Sequence, residues 1–228
     1  MSKSIVYFTN DMTPSGVKKL YEKLGVNLNG KTMVKVHSGE RGNQNFLKPE
    51  FWKEVFSCIS NGVICECNTA YDGARNTAER HKKLLVDHEW TKYFPCDIMD
   101  EEDNDHILSI NNGRILSKDY VGSHFTNYDS LLVLSHFKGH PMGGYGGALK
   151  QLSIGVASSR GKAFIHSAGK TTDVNKLWDN IATQEDFLVS MAEAASAVHK
   201  HFKGNVVYIN AMMNMSVDCD CCSIADDP

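Results

Sequence analysis

Ser130-Leu-Leu-Val-Leu-Ser135 runs directly into His136-Phe-Lys-Gly-His140-Pro-Met-Gly-Gly-Tyr-Gly-Gly-Ala-Leu-Lys150. The apolar run reads as a buried central strand. It ends at two histidines and a lysine. Four glycines then allow close approach of the backbone, and a helix-like segment, Ala148 to Val156, follows. In a parallel α/β sheet, ligands bind beyond the carboxyl ends of the strands. This stretch therefore fixes both a strand and the edge of the sheet where a site belongs.

Working outward, strand and helix patterns alternate. Ile5-Val-Tyr-Phe8 reads as a short buried strand. Thr13 and Pro14 form a helix start, with Thr at the cap and Pro at the first helical position. Val17, Leu20, Tyr21 and Leu24 keep helical spacing up to Gly25. Thr32 to Val36 is the next strand. Pro49 opens a helix with Phe51, Val55, Phe56 and Ile59 on one face, and Val63 to Cys67 is a strand. Ala74 to Asp87 reads as a helix, Asp97 to Met99 as a short strand, and Asn112-Gly113 as the turn of a hairpin. Gln184 to Phe202 is an amphipathic helix with Phe187, Leu188, Met191, Ala195 and Val198 as its buried stripe. Gly204 ends it, and Asn205 to Asn210 is a last strand. The expectation is one α/β domain over residues 1–228, with a mainly parallel central sheet flanked by helices, a Rossmann-like three-layer sandwich.

The chain has 228 residues and a net charge of −3, with no basic footprint for nucleic acid. Its apolar runs are too short to span a bilayer, so no membrane partner is expected. Met1-Ser-Lys-Ser-Ile5 carries no signal-peptide pattern, which makes a reducing cytoplasm the expected location. Seven cysteines, an odd number, suit thiols or metal ligands better than a disulfide framework.

Polar residues collect where the strands end. His37 and Glu40 can bind a metal or pair as base and orienter, or can belong to a solvated turn. Asn68 and Arg75 follow the third strand. Gly143, Gly144, Gly146 and Gly147, flanked by Lys138 and Lys150, can cradle an anion at a helix start, or form a tight turn under a packed helix. His136 and His140 are loop-like candidates for ligand or general base, since Gly139 and Pro141 oppose a helix there; a satisfied core histidine is the alternative. Asp97 and Asp100 are the carboxylates best placed for a hard cation, in an acidic run otherwise read as solvated surface. Cys219, Cys221 and Cys222 can supply soft ligands to an iron–sulfur cluster or zinc. A fourth thiolate can come from Cys65, Cys67 or Cys96, although buried strand cysteines are commonly inert.

Val36-His-Ser-Gly-Glu40, Cys67-Asn-Thr-Ala-Tyr71, Asp97-Ile-Met-Asp-Glu101, Lys138-Gly-His140 through Lys150 and Val217-Asp-Cys-Asp-Cys-Cys222 together resemble the uncharacterised iron–sulfur-centre proteins, domain-of-unknown-function family 362. The resemblance covers nearly the whole chain and implies an α/β fold. Some members carry inserted ferredoxin-type cysteine motifs; residues 156 to 184 here hold no cysteine. Members run on past the Cys-rich motif, so the chain is expected to be truncated at its C-terminus relative to the family.

Three functional readings follow. The first is a metal- or iron–sulfur-dependent redox enzyme acting on a small anionic substrate. There His37, Glu40, Lys138 and His140 do the chemistry, and the glycines with Lys150, Asn68 and Arg75 hold the ligand. Cys219, Cys221, Cys222, His136, Asp97 and Asp100 hold the metal. The second is a cluster-free isomerase, racemase or lyase using His and Lys acid–base chemistry. The third is a non-catalytic module that binds a metal or ligand. A redox partner protein and a homo-oligomer are compatible with these readings.

Overall fold

The computed structural model describes residues 5–215. In chain order the elements are α1 (Pro14–Leu24), β1 (Thr32–Lys35), α2 (Pro49–Phe56), β2 (Gly62–Glu66), α3 (Ala78–Asp87), α4 (Trp90–Tyr93), β3 (Cys96–Ile98), β4 (His106–Ser109), β5 (Lys118–Val121), β6 (Ser130–His136), β7 (Lys138–His140), β8 (Gly144–Gly146), α5 (Ala148–Lys150), α6 (Ser159–His166), α7 (Gln184–His201) and β9 (Val206–Ala211). A π-helical turn, Gln151–Gly155, continues α5.

Five strands form the central sheet in the order β3-β2-β1-β6-β9. Every pairing in it is parallel, so all five carboxyl ends meet on one edge. Side chains alternate across each strand, and the two faces bury separate cores. Val34, Ile64, Leu132 and Leu134 face α1 to α4, with Trp52 and Trp90. Met33, Cys65, Leu131 and Val133 face the π turn and α7, with Phe125 and Val198. The fold is thus α/β, a parallel sheet between two helical layers. Thr13 caps α1 by accepting from Gly16 N–H at 3.1 Å, and Gly25 closes it at φ 62°.

Several expectations change in detail. Ile5 to Phe8 is not a strand and is largely exposed, with Phe8 at 85%. β1 already has β2 on one side and β6 on the other, and the segment pairs with neither edge strand, β3 or β9. The helix expected from Ala74 begins at Ala78, capped by Thr77, and residues 74–77 stay in a loop. Leu188 lies outside the buried stripe of α7, which runs through Phe187, Met191, Ala194, Ala195 and Val198. The hairpin around Asn112-Gly113 does form, as antiparallel β4 and β5, with Asn112 at φ 63°. The glycine run folds as a second antiparallel hairpin, β7 and β8, turning through Gly144 at φ 73°. Only after it do α5 and the π turn begin. Helix α6, capped by the Ser158 side chain, lies in a region to which the sequence pattern assigned no element.

Candidate functional site

Beyond the carboxyl ends of β1, β2 and β6 lies a cavity of about 450 Å³. Its floor is built by charge pairing inside the sheet. Lys35 on β1 and Glu66 on β2 are almost fully buried, with Lys35 Nζ 2.8 Å from Glu66 Oε2. Lys35 also donates to the Val36 carbonyl. Glu66 Oε1 accepts from Ser38 N–H at 2.6 Å and lies 4.0 Å from Arg75 Nη1. Burial alone would raise this carboxyl; Lys35 and then Arg75 outweigh it and hold Glu66 well below the usual carboxylate range. Arg75 reaches back to Glu40, donating Nε to Oε1 at 3.0 Å and pairing through Nη2. Tyr71 donates its hydroxyl to the same oxygen at 2.9 Å. Arg75 also donates to His37 Nδ1 at 3.4 Å. Glu40 thus fixes Arg75 and Tyr71, both of which line the cavity, whereas Glu40 itself does not.

The opposite wall comes from the β7–β8 hairpin and the turns after it. Lys138, His140, Gly146, Gly147 and Lys150 line it, and Gly143 and Gly144 do not. Gly146 and Gly147 reach the cavity just before α5, and two amides flanking them are engaged within the protein. Gly143 N–H is used by His140, and the first amide of α5, Ala148 N–H, donates to Asn210 Oδ1 at 2.9 Å. The π turn brings Gln151, Ile154 and Gly155 to the cavity. Gly155 permits a close approach: a Cβ there would stand 2.8 Å from Lys35 Cε. Turns of π geometry inside helices recur at functional sites.

The third wall is α6. Lys162 and His166 are four residues apart on it and therefore share a face; both line the cavity. Lys162 is buried and donates Nζ–H to the Ala157 carbonyl at 2.6 Å. His166 lies 2.7 Å from the Lys162 carbonyl through Nδ1. A carbonyl only accepts, so Nδ1 carries the proton and, in the neutral ring, Nε2 keeps a lone pair. His140 is the reverse: Nδ1 accepts from Gly143 N–H at 2.9 Å, which leaves the proton on Nε2. Both rings pack on Phe187, at centroid distances of 6.4 Å and 4.8 Å. Burial, followed by Lys150, His166 and Lys138, lowers His140 to about 3. Burial lowers His166 to about 4 despite its bond to the Lys162 carbonyl. At neutral pH His140 and His166 are therefore both neutral, the first with its proton on Nε2 and the second with a lone pair there.

The remaining sequence candidates separate. His37 and His136 line the cavity, and His136 Nε2–H donates to the Met213 carbonyl at 2.6 Å. Asn68 does not line it; its N–H donates to Asp100 Oδ1 at 2.8 Å, and His81 Nδ1 lies 3.3 Å from its side-chain oxygen. Asp100 spends its other oxygen on Ser159 N–H at 3.0 Å, which ties the β3 loop to α6. Asp97 accepts from Tyr128 at 2.6 Å and pairs with His124 at 2.8 Å. Asp97, Asp100 and His136 are not brought together, and no group of three His, Cys, Asp or Glu among the described residues is placed to hold a metal. Cys65 and Cys67 belong to one core, while Cys96 packs against the other. Burial raises all three thiols, Cys96 to about 12, so none is poised as a thiolate. The described donors thus do not fit a cluster. Cys219, Cys221 and Cys222 lie outside the described residues. No helix among the described residues is long and apolar enough to cross a membrane.

Among the lining residues absent from the sequence candidates are four with ionisable side chains deep in the site: Lys35, Glu66, Lys162 and His166. The first two had a signal, since each is a lone charge inside an apolar strand, of opposite sign on neighbouring strands. The last two had the helical spacing Lys-x-x-x-His, hidden because α6 was not anticipated. With Arg75, Lys138 and Lys150, the described lining carries five Lys and Arg side chains against one carboxylate, Glu66. Such a wall favours an anion and places hydrogen-bond donors around it.

Residues 32–228 match the family described as "Domain of unknown function (DUF362)". No curated protein matches the chain. Among solved structures it is similar to the lactate racemase apoprotein from Thermoanaerobacterium thermosaccharolyticum, with 15% identity and a TM-score of 0.47 over 82% of this chain and 47% of that one. It is also similar to a structural-genomics crystal structure of a Thermotoga maritima protein, with 13% identity and a TM-score of 0.46 over 85% of this chain and 61% of that one. The chain thus spans about half of the first structure's length and three fifths of the second's.

Proposed function

The chain belongs to the DUF362 family, and we propose that its strand-end cavity binds a small organic anion and moves a proton on it, as an isomerase, racemase or lyase does. The observation that carries this reading is the pair of neutral histidines of opposite tautomer, His140 and His166, in one cationic cavity. Arg75, fixed by Glu40 and Glu66, and Lys138 and Lys150 bind the anionic group. His140 Nε2–H donates to the substrate oxygen on which charge develops; a neutral imidazole can polarise a carbonyl in this way. His166 Nε2 takes the proton. An incoming anion favours protonated imidazole, so substrate itself raises the basicity of His166.

The test is exchange. Small carboxylic acids and phosphorylated carbonyl compounds are incubated with the full chain in deuterated water, and loss of the hydrogen next to the carbonyl or carboxyl group is followed by NMR. His166→Gln is expected to abolish exchange at unchanged thermal stability, whereas Lys138→Met weakens binding. A protein that no anion of the panel stabilises, and that exchanges none of them, refutes the reading.

A second reading rests on the three cysteines within four residues at Cys219 to Cys222. These are the ligands proposed for an iron–sulfur cluster or another metal ion, and the proton chemistry above is independent of them.

A further inference from the structure

Lys162 is the cationic side chain that the acid–base reading leaves without a role. It is only 7% exposed, yet it lines the cavity. Its ammonium meets a neutral carbonyl, that of Ala157, and among the described residues it makes no ion pair. Lys35 differs, since Glu66 neutralises it at 2.8 Å. Lys35 lines the same cavity and adds positive charge near Lys162. Lysines become nucleophilic when desolvated or set beside another cation, because both favour the free amine. Burial acts foremost in that direction here and prevails over Cys67 and Asp100, which favour the ammonium; Lys35 adds to burial. His166, one helical turn further on, offers a lone pair at the same wall.

We propose that Lys162 is an amine nucleophile that condenses with the carbonyl of a small 2-oxo acid held in the cavity. This rests on the anion-binding reading above and narrows its substrate class. The free amine of Lys162 attacks the carbonyl carbon and forms a carbinolamine. With one proton taken up from solvent, the carbinolamine hydroxyl leaves as water, and a protonated imine remains. The carboxylate is unchanged and stays with the cationic wall. The imine withdraws electrons from the neighbouring carbon, so that a proton there can pass to His166 Nε2. No oxidant or reductant is required.

The experiment is trapping. The full chain is incubated with pyruvate or glyoxylate and sodium borohydride, then analysed by intact mass and peptide mapping. The expected product from pyruvate is a single adduct on Lys162, heavier by pyruvic acid less one oxygen. At neutral pH its yield should exceed that on any surface lysine, because burial favours the free amine and the cavity holds the oxo acid beside it. Oxalate, a small anion without a ketone or aldehyde, should suppress the adduct. Lys162→Arg should abolish it, with circular dichroism reporting the fold; if that variant does not fold, site mapping on the unaltered chain decides. Label spread over surface lysines overturns the proposal. If oxalate raises the melting temperature but no adduct forms, Lys162 is not the nucleophile and the anion site stands. If neither oxalate nor the oxo acids shift the melt and nothing is trapped, both readings fall.

Discussion

Replacing Lys35 by Met tests the floor of the cavity. The substitution keeps an unbranched side chain of similar length and removes one partner of a buried ion pair. Breaking such a pair on one side costs about 3–5 kcal/mol, because the other charge stays buried. Glu66 would still accept from Ser38 N–H at 2.6 Å and lie 4.0 Å from Arg75, so the lower end, about 3 kcal/mol, is expected. For a domain of this size that corresponds to about 6–12 °C in melting temperature. The pH dependence fixes the cause. In the unaltered protein the Glu66 carboxyl is held well below the usual range. Its contribution is therefore complete above the unfolded value of about 4.3 and is lost only as pH falls through the lower folded value. Without Lys35, burial is opposed only by weaker neighbours and the folded value rises. The deficit should then be larger at pH 8 than at pH 5, where protonation relieves it. Lys35→Met with Glu66→Gln should recover part of the loss at pH 8. Urea unfolding at both pH values measures this, with an unchanged denaturant slope as the check on two-state behaviour. A deficit below about 1 kcal/mol at pH 8, or one independent of pH, would refute the assignment of Lys35 and Glu66 as a desolvated pair.

Two further outcomes follow from the same geometry and from the cysteine tail. Gly155→Ala places a Cβ 2.8 Å from Lys35 Cε and 2.6 Å from Gln151 Oε1; the glutamine can swing aside and the tethered lysine cannot, so urea unfolding should show a loss of about 1–3 kcal/mol that Gln151→Ala does not rescue. If Cys219, Cys221 and Cys222 hold a metal or cluster, anaerobically purified protein carries iron with acid-labile sulfide, or zinc, and the triple change to Ser removes it; metal-free protein from a metal-replete preparation counts against that proposal.

The fold was legible because its strongest signals are local. Thr13-Pro14 and Gly25 mark α1, the apolar runs mark β1, β2 and β6, and Asn112-Gly113 marks the hairpin. Where strength came only from composition, the reading slipped. Ile5 to Phe8 has the residues of a strand, but it pairs with neither edge of the sheet, β3 or β9. The glycine run resembles a phosphate loop, yet its pairing with Lys138 to His140 makes it a hairpin whose amides are partly spent. The convergence of His37, Arg75, His136, Lys138 and His140 follows from parallel strand order, because residues after parallel strands share one edge. Asp97 and Asp100 follow the same logic, but β3 lies at the sheet's edge, and they are consumed by Tyr128, His124, Asn68 and Ser159. Sequence order specifies the edge; distance along that edge decides which residues meet.

That distance also explains why the floor is polar inside a sheet that is otherwise apolar. A parallel sheet covered on both faces has little reason to bury Lys35 and Glu66, since an apolar pair of equal volume is commonly as stable or more so. Their place on β1 and β2 next to β6, directly beneath Gly155 and beside Arg75, gives them another use. Glu66 holds Arg75 from one side while Glu40 holds it from the other, so the guanidinium is fixed before any ligand arrives. Lys35 neutralises Glu66, which keeps the one carboxylate of the described lining from repelling an anion. Fixed dipoles and charges do more for a reacting anion than mobile ones, because no reorganisation is needed when charge develops. The buried pair is therefore best understood as preorganisation of the cavity. It follows that loss of stability on breaking the pair and loss of anion binding should appear together in Lys35→Met, and should recover together only where the geometry of Arg75 recovers.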